Sequence, residues 1–162
     1  MASFTINNQN AGTPQNLSST YKTILAVTAA TGATTLRRVW ITEVEWGATD
    51  VPNASDCPVL FDISTQTGAG TSTSLTPLVT DQGGGDAAAL AVYSSNFTAE
   101  GTITANSSVF FKSINQRASD KQWWRDKATC PIVAAVNLKG FAMRMKSPTY
   151  ASTVGVQASV EE

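Results

Sequence analysis

Residues 58–65 read Pro58-Val59-Leu60-Phe61-Asp62-Ile63-Ser64-Thr65, and Val59, Phe61 and Ile63 fall on one parity. In an extended chain successive side chains point to opposite faces, so this clean alternation predicts a half-buried β-strand. The pattern recurs along the chain. In 138–146, Phe141, Met143 and Met145 point one way and Ala142, Arg144 and Lys146 the other. In 153–161, Val154, Val156, Ala158 and Val160 are in register, and in 21–28 Tyr21, Leu25 and Val27 share a parity. The longest run, 36–46, carries Leu36, Trp40, Val44 and Trp46 on even positions but Val39 and Ile41 on odd ones. A bulge near Thr42 reconciles the two halves. Residues 90–97, 107–114 and 122–126 complete about eight strands.

Turn-forming residues separate these runs at Thr31-Gly32, Gly47, Pro52-Asn53, Gly83-Gly84-Gly85, Asn106, Asn137 and Ser147-Pro148. One short helix is expected at 86–90, where Asp86 can cap an alanine run. The long polar stretch 65–86 is expected to be a functional or flexible connection. Short strands with long crossings, and no Asn-Gly or similar hairpin dipeptide, predict an all-β, antiparallel β-sandwich, jelly-roll-like, of about eight strands.

Composition agrees. The chain holds 22 Thr, 16 Ser and 11 Gly, with only 14% charged residues, a balance that suits pleated surfaces better than helices. At 162 residues a single domain can bury roughly 70% of its unfolded surface. Residues 1–20 are polar and contain Gly12 and Pro14. They are expected to form a flexible N-terminal arm, either frayed or docked on a neighbour, ahead of one β-sandwich domain at 21–162. They lack the basic start and apolar run of a signal peptide, and no apolar run approaches the ~20 residues that span a bilayer. Synthesis in a cytosol and no membrane insertion are expected. The four Asn-x-Ser/Thr sequences, at Asn16, Asn53, Asn96 and Asn106, are read as accidental.

The residues present exclude much chemistry. The chain has no histidine, which removes Ser-His-Asp and Cys-His nucleophile systems and two-His metal sites. Cys57 and Cys130 cannot make a zinc site alone, and are read as buried thiols with a disulfide as the lesser alternative. No phosphate-binding glycine loop occurs. Glu43 and Glu45 share a strand face but read as solvated surface more readily than as a glycosidase pair. Asp81 and Asp86 flank three glycines without the spacing of a calcium loop. A net charge of −1 gives no sign of nucleic-acid binding. No catalytic residue, cofactor site or metal site is expected, and the chain is read as a structural or binding module and not an enzyme.

Two signals remain. Between Val39 and Phe111 there are eight acidic residues and no Lys or Arg, while eight of the eleven basic residues lie from Lys112 onward. Either folding interleaves the halves or the molecule has two oppositely charged sides that pack against copies of itself. The second signal is the segment 115–125. Asn115, Gln116, Arg117, Trp123, Trp124 and Arg125 are its candidate interface residues, because Trp and Arg are favoured interface anchors. The competing assignment puts Trp123 in the core and Trp124 on the opposite face, beside Arg125. Either way one Trp of an adjacent pair must point outward from a strand, and an outward Trp marks a contact surface.

Several of these short motifs resemble small proteins encoded among the head genes of tailed bacteriophages and prophages. They are Leu36-Arg37-Arg38 before Glu45-Trp46-Gly47, Thr76-Pro77, Phe97-Thr98-Ala99-Glu100, Asn115-Gln116-Arg117-Ala118 before Trp123-Trp124, and Lys146-Ser147-Pro148-Thr149 before Glu161-Glu162. The resemblance runs from about residue 35 to the end, and departs at Trp123-Trp124, where an Arg-Trp pair is more usual, and in the 81–86 glycine run. It implies a capsid decoration, or cement, protein: a homotrimer on the outer surface of the virion, clamping neighbouring copies of the major capsid protein. No functional residue set is implied. Two other readings stand beside it: a jelly-roll subunit that builds the shell, and a carbohydrate- or receptor-binding module using Trp124, Tyr93 or Tyr150 as a stacking platform.

Overall fold

The computed structural model describes residues 2–12, 14–29, 36–81 and 88–162. Its strands are β1 (Ser3–Asn7), β2 (Lys22–Thr28), β3 (Val39–Ala48), β4 (Pro58–Gly68), β5 (Thr71–Leu75), β6 (Leu78–Val79), β7 (Val92–Ala99), β8 (Thr102–Asn115), β9 (Ser119–Trp123), β10 (Ile132–Val133), β11 (Gly140–Lys146) and β12 (Val154–Glu161). They form two antiparallel sheets packed face to face. One runs β6-β1-β12-β3, with β9 and β10 in succession on the far edge of β3, and the other runs β5-β7-β2-β11-β4-β8. The chain therefore changes sheet at each step from β1 to β4, and strands close in sequence rarely pair.

Seven of the eight expected strands are present near their expected places; the eighth, expected at 122–126, instead runs 119–123 as β9 and shares only residues 122–123 with the expectation. The alternating positions fill the space between the sheets: Val59, Phe61 and Ile63 of β4, Met143 and Met145 of β11, and Val156, Ala158 and Val160 of β12 are each at most 1% exposed. Trp46 stacks on Phe61 with ring centroids 4.3 Å apart and planes within 6°, joining β3 of one sheet to β4 of the other. Phe110 meets both rings edge-on, and Trp124 meets Phe110.

The parity change in β3 is a bulge at Thr42. Ser159 lies opposite Glu43 and Val160 opposite Ile41, which leaves Thr42 as the extra residue. Its hydroxyl donates to the Ser159 carbonyl at 3.1 Å. The bulge turns Val39 and Ile41 inward on one parity and Val44 and Trp46 inward on the other. A second irregularity leaves Ile24 of β2 without a partner between Leu25↔Met143 and Thr23↔Arg144.

The described residues of the first twenty, 2–12 and 14–20, are not an arm. β1 lies inside its sheet, paired with β12 on one side and β6 on the other, and Phe4 and Ile6 are each 1% exposed. Beyond it, the buried Asn8 side chain donates to the Val154 carbonyl at 2.9 Å and accepts from the Val156 amide at 2.8 Å. Gln15 makes both backbone hydrogen bonds that a neighbouring strand would make to Phe97. The composition is polar because only alternate residues of one short strand face the core. What orders the segment is hydrogen bonding to distant strands, which its own sequence does not display.

Of the stretch 65–86, residues 65–81 are also more ordered than expected, since β4 continues to Gly68 and β5 and β6 follow, while 82–86 lie outside the described residues. Here the β4–β8 ribbon turns a corner and continues as the β5–β7 ribbon. A side chain at Gly70 would collide with the Ala99 carbonyl, and one at Gly101 would lie 2.6 Å from that of Gly68, so both corner positions require glycine. The Glu100 carboxylate accepts from the backbone amide of Thr23 at 3.1 Å and from its hydroxyl at 2.5 Å, which pins the corner to β2. Of the expected helix at 86–90, residues 88–90 are not helical, and 86–87 lie outside the described residues, as do the Thr31-Gly32 and Gly83-Gly84-Gly85 turns. No helix among the described residues is long and apolar enough to cross a membrane.

If β1 is part of the core, Phe4→Ala will lower unfolding stability by about 3 kcal/mol in urea titration, whereas an arm would tolerate it without change.

Candidate docking surface

The two sheets end side by side at one corner of the sandwich. β8 is the last strand of its sheet, β9 lies at the edge of the other, and a turn at Asn115–Ala118 joins them. Among the described residues neither outer edge has a strand partner. Lys112 of β8 and Asp120 of β9 bridge the corner at 3.3 Å.

The six expected interface residues divide into two groups. Asn115, Gln116 and Arg117 fasten loops. The Asn115 side chain accepts from the Arg117 amide, and its carbonyl accepts from the Ala118 amide, both at 2.9 Å. Gln116 is 2% exposed. Its side chain accepts from the Asn53 amide at 3.0 Å and donates to the Ser55 carbonyl at 2.7 Å. Arg117 donates to the Asp56 carboxylate at 2.8 Å and to the Asn53 carbonyl at 2.7 Å. Together they hold the loop at 50–57 against the corner.

Trp123, Trp124 and Arg125 split across the strand. Trp123 points outward and is 57% exposed, while Trp124 packs edge-on against Phe110 at 5.7 Å. The assignment with Trp123 in the core is thus reversed. The cause is the register with β3: Trp123 lies opposite Glu43, an outward position next to inward Val44, and the Trp124 amide donates to the carbonyl of the bulged Thr42 at 3.0 Å. The Arg125 guanidinium lies 5.5 Å from the Trp123 ring centre, within cation–π range.

Sequence reasoning missed Val109 and Phe111, exposed by 54% and 56% on β8. The signal was present: Phe110 and Phe111 are adjacent aromatics in a strand, so one of them must face out, as with the Trp pair. Val109, Phe111 and Trp123 thus place large apolar side chains on both strands of the corner.

Charge does not segregate. Arg117–Asp56, Lys121–Glu43 and Arg144–Asp62 each join the basic C-terminal part to the acidic middle of the chain, so folding interleaves the two. Arg144 and Asp62 form a two-pronged pair at 2.9 and 2.6 Å on the outer side of the second sheet, with Ser64 bonded to both and Arg144 lying over the Tyr21 ring. With Asp62 5% exposed, this is a buried, internally satisfied structural group.

The other candidate groups are not brought into a site. Tyr93 and Tyr150 are at most 1% exposed, which withdraws them, with Trp124, as stacking platforms. Burial and a hydrogen bond to the Glu162 carboxylate keep the Tyr93 hydroxyl protonated. Cys57 and Cys130 are both free and buried, and burial pushes the Cys130 thiol up, away from the reactive thiolate. No group of three metal-ligating side chains forms among the described residues, and Asp86 of the Asp81–Asp86 pair lies outside them.

Asp62→Ala leaves Arg144 nearly buried without its partner and will cost about 3 kcal/mol in chemical denaturation. Trp123→Ala, at an exposed position, will change stability by less than about 0.5 kcal/mol. Compared with known proteins, the chain matches no family model, no curated protein and no solved structure.

Proposed function

We propose that this chain is a structural protein of a tailed-phage virion, a capsid decoration or cement protein that binds the outside of the head and clamps neighbouring major capsid subunits. The observation that carries the proposal is the corner where β8 and β9 leave two strand edges unpaired beside exposed Val109, Phe111 and Trp123. Open edges with large apolar side chains are costly to leave in water and are templates for a protein partner. Trp123 with Arg125 upon it has the chemistry of an interface anchor. The sequence resemblance to phage head proteins points the same way.

The strand connectivity supports a jelly-roll reading of the sandwich. In it, β1-β12-β3-β9 face β2-β11-β4-β8, the interleaved order that two Greek keys produce. Threefold self-association would present the corner three times and convert a modest contact into multivalent attachment. The extended arm drops out of this account, since residues 3–7 are committed to the chain's own sheet. The proposed partners are therefore the major capsid protein and further copies of this chain. The role needs no cofactor, nucleic acid, membrane or catalytic group.

Two measurements test this. Size and mass determination of the isolated protein should give three times the 17.0 kDa chain. Co-sedimentation with purified heads should show binding that Trp123→Ala weakens by about tenfold, the size of a moderate interface anchor, with no change in melting temperature. A protein that ignores heads, or binding that Trp123→Ala with Phe111→Ser leaves intact, rejects the proposal.

A further inference from the structure

We infer that the outer face of the first sheet carries a second site, a glycine-floored cleft that takes a neutral, hydroxyl-rich ligand of the sugar class. The cleft has a volume of about 460 Å³. Its floor is Gly47 of β3 and Gly155 of β12, which lie directly opposite one another in the sheet. Glycine inside a strand weakens it and marks a place where something approaches the backbone closely. Here the neighbours leave little space for anything larger. A side chain at Gly155 would come within 2.9 Å of the Thr49 methyl, and one at Gly47 within 3.0 Å of the Ser119 side chain. The facing glycines thus let Thr49 and Ser119 settle close to the sheet, and these two side chains line the cleft together with the glycine backbone.

The walls are polar and uncommitted. Asn7, Gln157 and Glu45 stand in one cross-strand row, and Gln9 and Asn10 overhang from the 3₁₀ turn at Asn8–Ala11. The Asn7 side-chain oxygen caps that turn by accepting from the Asn10 amide. Among the described residues the side chains of Gln9, Asn10, Gln157 and Glu45 make no hydrogen bond. Lys121 is the direct cross-strand neighbour of Glu45, yet its ammonium group bridges to Glu43 at 3.0 Å and leaves the Glu45 carboxylate open.

This donor set selects a ligand class. Each amide can donate and accept, and a carboxylate accepts from two hydroxyls, which matches the vicinal hydroxyls of a sugar. Among the described residues no cation lines the cleft to attract a phosphate or carboxylate, and no exposed apolar side chain lines it to hold a lipid. The site is separate from the docking corner: Trp123 lies four residues along β9 from Ser119, about 13 Å at the rise of a strand.

The test is titration of isotope-labelled protein with neutral oligosaccharides of glucose, galactose, N-acetylglucosamine and rhamnose to millimolar concentration. At least one should move the amide resonances of Gly47, Gly155 and Gln157. Glu45→Ala and Gln157→Ala, both at exposed positions, should each weaken it by about tenfold, the effect of one hydrogen bond to a charged or amide group. Trp123→Ala should leave sugar binding unchanged while head attachment falls, so the two sites fail independently. No shift at these residues with any of the four sugar series, or binding that survives both cleft variants, overturns the inference.

Discussion

One extra residue in β3 decides which way much of this molecule faces. A strand with a strict two-residue period cannot bury Val39, Ile41, Val44 and Trp46 on one side. Thr42 breaks the period, and its carbonyl and hydroxyl remain tied to Trp124 and Ser159. Everything on either side of the bulge then follows. Trp46 reaches Phe61 across the core, Glu43 faces water, and Trp123 opposite Glu43 is carried outward while Trp124 is drawn under Phe110. The exposed anchor at the corner thus follows from the register of β9 on the part of β3 that lies beyond the bulge.

The other constraint is the path of the chain. Because successive strands alternate between sheets from β1 to β4, nearly every pairing is long-range, and local sequence has little part in choosing it. Small polar devices fix the ends instead. Asn8 holds β12, Gln15 holds β7, Gln116 holds the loop at 50–57, and the Glu162 carboxylate collects the amides of Leu90 and Ala91 and the Tyr93 hydroxyl. Each satisfies buried or half-buried backbone groups that would otherwise lack partners.

Strands whose apolar residues alternate over three or more positions were legible in the sequence. So was the bulge, because a parity switch inside one continuous run requires an inserted residue if both halves are to face the same core. Strands with too little internal pattern were not legible. β1 shows only Phe4 and Ile6, β6 and β10 are two residues each, and β5 is Thr71-Ser72-Thr73-Ser74-Leu75. They are strands because neighbours supply hydrogen bonds, a property of the partner and not of the segment. The docking corner was half legible. The Trp pair announced an outward aromatic, but only the register with Glu43 could say which one. The cleft was not legible at all, since its facing glycines come from residues 47 and 155, whose meeting depends on the β3–β12 register.

The position of β12 has a bearing on how the protein comes into being. It lies between β1 and β3, yet its residues 154–161 emerge from the ribosome long after theirs. Until then β1 and β3 have no strand to join them, and Phe4, Ile6, Val44 and Trp46 lack the surface that covers them. The first sheet therefore closes only once residue 161 has been made, in a late step that draws strands from distant parts of the chain together. Until that step β1 and β3 present open strand edges, the kind of surface that invites off-pathway pairing.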